Sequence, residues 1–387
     1  MKIGIMTFHK SINYGSVLQA YALAYRLREM GHTPEIIDYE QHNYTFQYQI
    51  IKPPLSMEAI KHDYVNMVFY DIMKERKLSF EKFRKNILPL SAKQYKYGDD
   101  LSELDDMYDI LICGSDQLWN TNASDFDEAY FFPFIKKTPH IAYAVSLNKG
   151  ELTNAPDPAL LKDALRTFSA ISAREESGKR KIEKFMGNSV NVPVVLDPTL
   201  LNDKKAYFPL SEKRVIKEPY VFFYSVNYQY EAVRAAVTAA ERTGLPVYTL
   251  TAGKGTRALY RVKKEGKINI LKKNIGPSDF LSLIRYAQLV VTNSFHGTAF
   301  SLIFEKNFYS IKAITPEGKL EYDTRLYNIL TTLGVENRYV AADDMKTADL
   351  AAQLDYTDIN AKRISLIQQS LEYLEKYTGN SAIGENV

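Results

Sequence analysis

Cysteine is almost missing from this 387-residue chain, where Cys113 stands alone. It can form neither an internal disulfide nor a cysteine-based zinc cluster, which favours a reducing compartment. Long hydrophobic runs are missing as well. No stretch approaches the roughly 20 apolar residues that cross a bilayer, and the apolar run within Met1–Thr7 is too short for a secretory signal core. The expected location is the cytoplasm. An excess of either charge is also lacking: 49 Lys and Arg against 46 Asp and Glu leave +3, so no chain-wide attraction for nucleic acid is expected. The histidines outside His296 (His9, His32, His42, His62 and His140) show no H-x-x-x-H or H-E-x-x-H spacing, and no metal site is expected. Tryptophan is scarce, with 1 residue, yet there are 28 Tyr and 19 Phe. Hydroxyl-bearing rings suit surfaces that meet sugars, and they are also ordinary core material.

What is present is alternation. Ile3–Thr7 is a short apolar run of the kind that forms a buried parallel strand. Asn13-Tyr14-Gly15-Ser16 is turn material with Ser16 as a possible N-cap, and Val17–Met30 follows as a helix stopped by Gly31. Pro34–Tyr39 completes a βαβ unit and implies a parallel sheet with a right-handed crossover. The stretch 40–106, rich in Tyr, Phe and Lys and mostly helical after Pro54, interrupts the pattern and reads as an insertion. Strands resume at Tyr108–Cys113, Ile141–Ser146, Ala170–Ala173 and Val192–Leu196. A second alternating set runs from Tyr220 to Lys312, and Ile359, Ile364, Ile367, Leu371 and Leu374 recur at helical spacing near the end. The expectation is an α/β protein of two Rossmann-like domains facing across a cleft, ligands lying at the carboxyl ends of the strands. The expected domains are 1–205 with the helical, aromatic-rich insertion, 215–345, and a C-terminal helix and tail over 346–387.

Candidate site residues fall at strand ends. In Val290-Val291-Thr292-Asn293-Ser294-Phe295-His296-Gly297-Thr298 a buried strand leads into a helix through a His–Gly pair. His296 then sits at a helix N-terminus, where backbone N–H groups favour an anion; the alternative is a local cap. In Ser172-Ala173-Arg174-Glu175-Glu176 an arginine stands at a strand tip. Its planar fork suits a carboxylate or phosphate, or else a surface pair with Glu175 or Glu176. Gly114-Ser115-Asp116 offers a close backbone approach and a carboxylate for sugar hydroxyls, unless Asp116 merely caps the next turn. Asn13 and Tyr14 lie in the first βα turn, which could receive an anion but lacks the G-x-G-x-x-G spacing of a dinucleotide site. Gly253-Lys254-Gly255-Thr256-Arg257 departs from the P-loop pattern and reads as a basic loop.

Taken together, the segments Asn13-Tyr14-Gly15-Ser16-Val17-Leu18-Gln19-Ala20-Tyr21, Gly114–Asn120, Ala173–Ser177, Leu196-Asp197-Pro198-Thr199-Leu200, Gly276–Phe280 and Thr292–Gly297 resemble the polysaccharide pyruvyl transferase family. The resemblance implies a fold like the glycosyltransferase-B architecture. It implies phosphoenolpyruvate as donor, a sugar or lipid-linked glycan as acceptor, and pyruvate installed as a cyclic ketal with release of phosphate. No redox cofactor is implied, and association with a membrane would come only through the acceptor.

Carried over residue by residue, His296 matches the catalytic position and Arg174 an anion-binding one. Ser294 and Gly297 fall in the donor motif. Asp116 lies in a first-domain motif where a sugar-hydroxyl role, shared with Asn13 and Tyr14, is our expectation. The family often carries Arg two residues before this His, a place held here by Ser294. Lys319 or Arg325 is expected to supply the missing cation. Two other functions compete: a nucleotide-sugar glycosyltransferase of the same architecture, although no E-x7-E pair follows His296, and a non-catalytic protein that binds glycans or anions.

Overall fold

In the computed structural model the described residues are 1–44, 48–50, 69–188, 190–226, 229–250, 256–314 and 319–379. They divide into two compact units. The first takes its residues from 1–49, 84–202 and 364–387, the second from 50–83 and 203–363.

The first unit carries strands β1 (Lys2–Met6), β2 (Thr33–Glu40), β3 (Leu90–Lys96), β4 (Ile110–Cys113), β5 (His140–Val145) and β6 (Ala170–Ala173). They form one parallel sheet in the order β3-β2-β1-β4-β5-β6. Every residue of β4 and β5 is buried, as expected for central strands covered on both faces. Helices α1 (Tyr14–Glu29), α3 (Pro158–Thr167) and α4 (Glu176–Phe185) belong to this unit, while α2 (Tyr70–Ile87) begins among residues of the second unit and ends among those of the first. Connections on either side of β1 and β4 run in opposite directions, so the carboxyl ends of these two neighbours form a topological switch point.

The second unit repeats the plan. Strands β7 (Val221–Tyr224), β8 (Val247–Thr249), β9 (Asn269–Ile270), β10 (Leu289–Thr292), β11 (Phe308–Ile311) and β14 (Tyr339–Val340) form a parallel sheet in the order β14-β11-β10-β7-β8-β9. A small antiparallel pair, β12 (Ala313–Ile314) and β13 (Leu320–Glu321), stands apart from it. The helices are α5 (Tyr230–Thr243), α6 (Thr256–Lys264), α7 (Pro277–Arg285), α8 (Phe295–Ile303), α9 (Thr324–Leu333) and α10 (Tyr356–Thr378), the last continuing into the residues of the first unit. The switch point here lies between β7 and β10. Each unit has its own apolar core, one built around Trp119, Tyr130 and Phe131 and the other around Val233, Ala236 and Val291.

Several local expectations are corrected. Helix α1 starts at Tyr14, not Val17, and its N-cap is Asn13, whose side-chain oxygen accepts from Gly15 N at 2.9 Å. The sequence places the next helix over Ser278–Ala287 with Pro277-Ser278 as its cap, but α7 starts at Pro277 behind Gly276, and Asp279 accepts from Gly276 N at 3.0 Å. The stretch 40–106 is not wholly an insertion: β3 lies within it and pairs with β2 as the edge strand of the first sheet. The rest of its expected helical content before Phe69 falls mostly outside the described residues. Tyr39, Tyr95 and Tyr108 are buried rather than displayed. Tyr39 donates to Asp127 and Tyr108 to Glu35, each at 2.7 Å. In α10, Ile359 and Leu374 are buried but Ile364 is exposed. Gly253, Lys254 and Gly255 lie outside the described residues.

Candidate functional site

At the switch point of the first unit, β4 runs out into Gly114-Ser115-Asp116. A side chain at position 114 would put its Cβ 2.9 Å from Thr7 Cβ, so only glycine lets the end of β4 lie against that of β1. Asp116 takes a left-handed backbone (φ 84°), a conformation costing about 1–3 kcal/mol that surrounding contacts must enforce. They do. Its carbonyl accepts from Ser146 N at 2.9 Å, and its carboxylate accepts from the hydroxyl of Ser16 in the first turn of α1.

Arg174, immediately after β6, faces the same carboxylate at 3.7 Å. It also reaches Asp197 at 2.9 Å and Glu175 at 3.6 Å. Its side chain is 1% exposed, so the alternative of a surface pair is replaced by a buried cluster of one guanidinium and three carboxylates. The carboxylates are themselves held. Asp197 accepts from Thr199 N at 2.9 Å, from Thr199 Oγ1 at 2.7 Å and from Ser115 Oγ at 3.3 Å; Glu175 accepts from Ser146 Oγ at 2.7 Å. Arg174 thus organises its own chain's acids. Asn13 is the cap of α1, while Tyr14 is fully buried and presents no surface to a ligand. Asp197 and Ser146 were not expected in the site, while Glu175 was expected only as a surface partner of Arg174 and Ser16 only as a helix cap. For Asp197 the local signal was the Asp-Pro-Thr cap itself.

At the switch point of the second unit, β10 ends in Thr292, whose hydroxyl donates to Tyr224 O at 2.7 Å and accepts from Ser294 N at 3.0 Å. Ser294 is the N-cap of α8 and accepts from Gly297 N at 3.3 Å. These two residues, expected to touch a donor, therefore shape the helix end. A Cβ on Gly297 would lie 2.4 Å from Thr292 Oγ1, which fixes glycine there. His296 occupies the first turn, 9% exposed, edge-on to Phe295 with ring centroids 5.2 Å apart.

Arg325, at the start of α9, lies 5.8 Å from the Phe295 ring. It is committed to Asp323 through two bonds of 2.9 and 2.5 Å, so its charge is balanced within the chain. Lys319 is exposed beside β13. At the tip of β7, Ser225 Oγ is buried with no hydrogen-bond partner among the described residues. No cluster of three or more His, Cys, Asp or Glu able to hold a metal occurs among the described residues. No described helix is long and apolar enough to cross a membrane.

The sequence matches the family model described as polysaccharide pyruvyl transferase over residues 13–312, well over half of the chain. The chain belongs to the polysaccharide pyruvyl transferase family. The matched range contains Asp116, Arg174, Asp197 and His296 alike. Comparison with curated proteins returns no match. Among solved structures, the S. aureus MnaA–UDP co-structure is similar over 100% of this chain and 99% of that one, at 10% identity and a TM-score of 0.50. A UDP-forming α,α-trehalose-phosphate synthase from Burkholderia xenovorans is similar over 98% and 99%, at 12% identity and a TM-score of 0.51. At such identity the likeness speaks for fold alone. The fold of this pyruvyl transferase family member is glycosyltransferase-B-like, two parallel six-stranded sheets each flanked by helices.

Proposed function

We propose that the protein moves the pyruvyl group of phosphoenolpyruvate onto two hydroxyls of a sugar in a polysaccharide or glycan precursor. The observation that carries this reading is the family match over residues 13–312. In the reaction a proton adds to the methylene carbon of the donor while one hydroxyl oxygen attacks the neighbouring carbon. The resulting tetrahedral phosphate ester expels phosphate with the C–O bonding electrons, and the second hydroxyl closes the ketal. Of the two hydroxyl protons lost, one balances the new methyl group and the other leaves on phosphate.

We assign the proton transfer to His296, which stands at the tip of β10 in the first turn of α8. A positioned imidazole can relay a proton at neutral pH, and the positive end of the helix favours the donor's negative charge. We assign Asp116 to the acceptor hydroxyls, with Arg174 as the positioning residue that holds it. This reading places the protein in the cytoplasm, meeting a membrane only through a lipid-linked acceptor.

The test is phosphate release from phosphoenolpyruvate in the presence of a panel of lipid-linked and nitrophenyl glycosides. His296→Ala should abolish turnover while the protein remains folded. A wild-type protein that neither binds phosphoenolpyruvate nor releases phosphate would overturn the reading. Stabilisation by UDP-sugars in its place would favour a nucleotide-sugar glycosyltransferase. Binding of phosphoenolpyruvate without turnover would favour a non-catalytic glycan- or anion-binding protein.

A further inference from the structure

We infer that Asp38, together with Gln41, holds hydroxyls of the sugar that adjoins the one being modified, so that the acceptor is read over more than a single ring. The inference rests on the proposed transfer to a glycan and adds a second subsite on its acceptor side. Strands β1 and β2 pair with Ile5 opposite Ile36, and β1 ends at Met6. Asp38 therefore stands past the end of its neighbour, at the carboxyl end of the sheet. Asp116 follows β4, which lies on the other side of β1. Two strand spacings of about 4.8 Å each separate β2 from β4. A ring whose hydroxyls meet Asp116 thus leaves Asp38 to the next ring along the glycan. His9 and Lys10, which hold Asp38, precede the residues that the family model matches.

The carboxylate of Asp38 is oriented through one oxygen and open at the other. Its Oδ1 accepts from Nε2 of the fully buried His9 at 3.0 Å and lies 3.2 Å from Nζ of Lys10. Lys10 is itself held, since its ammonium also lies 3.6 Å from Glu40 and its carbonyl accepts from Arg84 at 2.9 Å. Asp38 N donates to Ser91 Oγ at 2.8 Å, which fixes the backbone. Burial alone would raise the pKa of Asp38, but the hydrogen bond from His9 and the ammonium of Lys10 outweigh it and hold the carboxyl below its ordinary value. An ionised carboxylate only accepts hydrogen bonds. Among the described residues none donates to Oδ2, and the side chain keeps 19% of its surface exposed; this oxygen is left for the hydroxyl of a ligand. Gln41, just beyond β2, is an independent sign. It is 2% exposed, yet neither polar atom of its side-chain amide has a hydrogen-bond partner among the described residues. A buried polar group without a partner is costly, and an amide offers both a donor and an acceptor. A hydroxyl, which also does both, would supply what the amide lacks.

The experiment measures phosphate release from saturating phosphoenolpyruvate with a nitrophenyl glycoside of one sugar and with the same glycoside extended by a second sugar. It compares kcat/KM in wild type, Asp38→Ala and Gln41→Leu, with thermal unfolding run on each full-length protein. Wild type should favour the longer acceptor. Each variant should lose about tenfold or more on it, the worth of a hydrogen bond to a charged or buried group, and stay within about threefold on the shorter one. Where wild type modifies no single-sugar glycoside, the KM for phosphoenolpyruvate takes its place as the reference that should not move. If Asp38→Ala does not fold, Gln41→Leu carries the comparison alone. Equal losses on both acceptors would mark a purely structural role and overturn the inference. So would a wild type that treats the two acceptors alike, or variants that lose less than about threefold on the longer one; each of these leaves the proposed function standing. A wild-type protein that releases phosphate with no glycoside would overturn both.

Discussion

Replacing Gly297 by alanine should destabilise the protein, against the usual direction of such a change. On an open helix, Gly→Ala gains about 1 kcal/mol, because glycine loses more backbone entropy on folding. Position 297 is helical and its φ is not in the left-handed region, so the backbone would accept alanine. The obstacle is Thr292. A Cβ at 297 would lie 2.4 Å from its Oγ1, 3.1 Å from its Cβ and 3.2 Å from its Cγ2. To reach ordinary contact the hydroxyl would have to retreat by about 1 Å, a large displacement in a close-packed interior.

That hydroxyl holds two bonds, to Tyr224 O and from Ser294 N, and neither survives such a shift. Buried hydrogen bonds are worth about 1 kcal/mol each, and overpacking adds about 1–3 kcal/mol. After subtracting the gain in helix propensity, the net loss is about 2–4 kcal/mol. Urea denaturation of Gly297→Ala, Thr292→Ala and the double variant closes the cycle. The double variant should be more stable than the sum of the singles predicts, by about 1–2 kcal/mol, since removing Oγ1 relieves the clash. Phosphate release should fall by more than the folded fraction does, because the disturbed turn also carries His296. Stability of Gly297→Ala equal to or above wild type would refute the reasoning.

Two further outcomes follow from buried charge. Arg174→Met leaves Asp116, Glu175 and Asp197 without their shared cation, and breaking a buried pair in this way costs about 3–5 kcal/mol; a loss below 1 kcal/mol in urea denaturation at pH 7 would show that the cluster does not depend on the guanidinium. Asp105 accepts backbone N–H groups from Lys136, Lys137 and Thr138 at 3.1, 2.9 and 2.8 Å. Burial alone would raise its pKa, but these bonds outweigh it and hold the carboxyl below its ordinary value. The folded pKa is thus depressed, so its contribution is complete above the unfolded value of about 3.9 and fades as pH falls through the folded one. Asp105→Asn should lose about 1–2 kcal/mol at pH 7 and differ less from wild type near pH 3; an equal gap at both values would contradict the assignment.

Much of the fold was legible because central parallel strands are apolar throughout. The run Ile110–Cys113 and the run His140–Val145 are entirely buried, and each reads as a strand without further help. Edge strand β3 was not legible, for the opposite reason. Leu90–Lys96 buries only its second and sixth residues, so its sequence shows a polar stretch with no strong period. Ser16 misled for a different reason: a serine before an apolar helical run is a good cap, but its hydroxyl is claimed by Asp116, far away in the chain.

The near-neutral chain also resolves into unlike local charges, and these bear on the proposed use of phosphoenolpyruvate. In the first unit one guanidinium faces three carboxylates, leaving two negative charges when all are ionised. Phosphoenolpyruvate carries a phosphate and a carboxylate, so that cluster would repel it and deny it Arg174. Sugar hydroxyls, which donate to carboxylates, suit the same place. At the tip of β10 the pattern is reversed. There His296 sits at the positive end of a helix. Arg174, which the sequence offered as a donor ligand, is in the structure engaged with three carboxylates of its own chain.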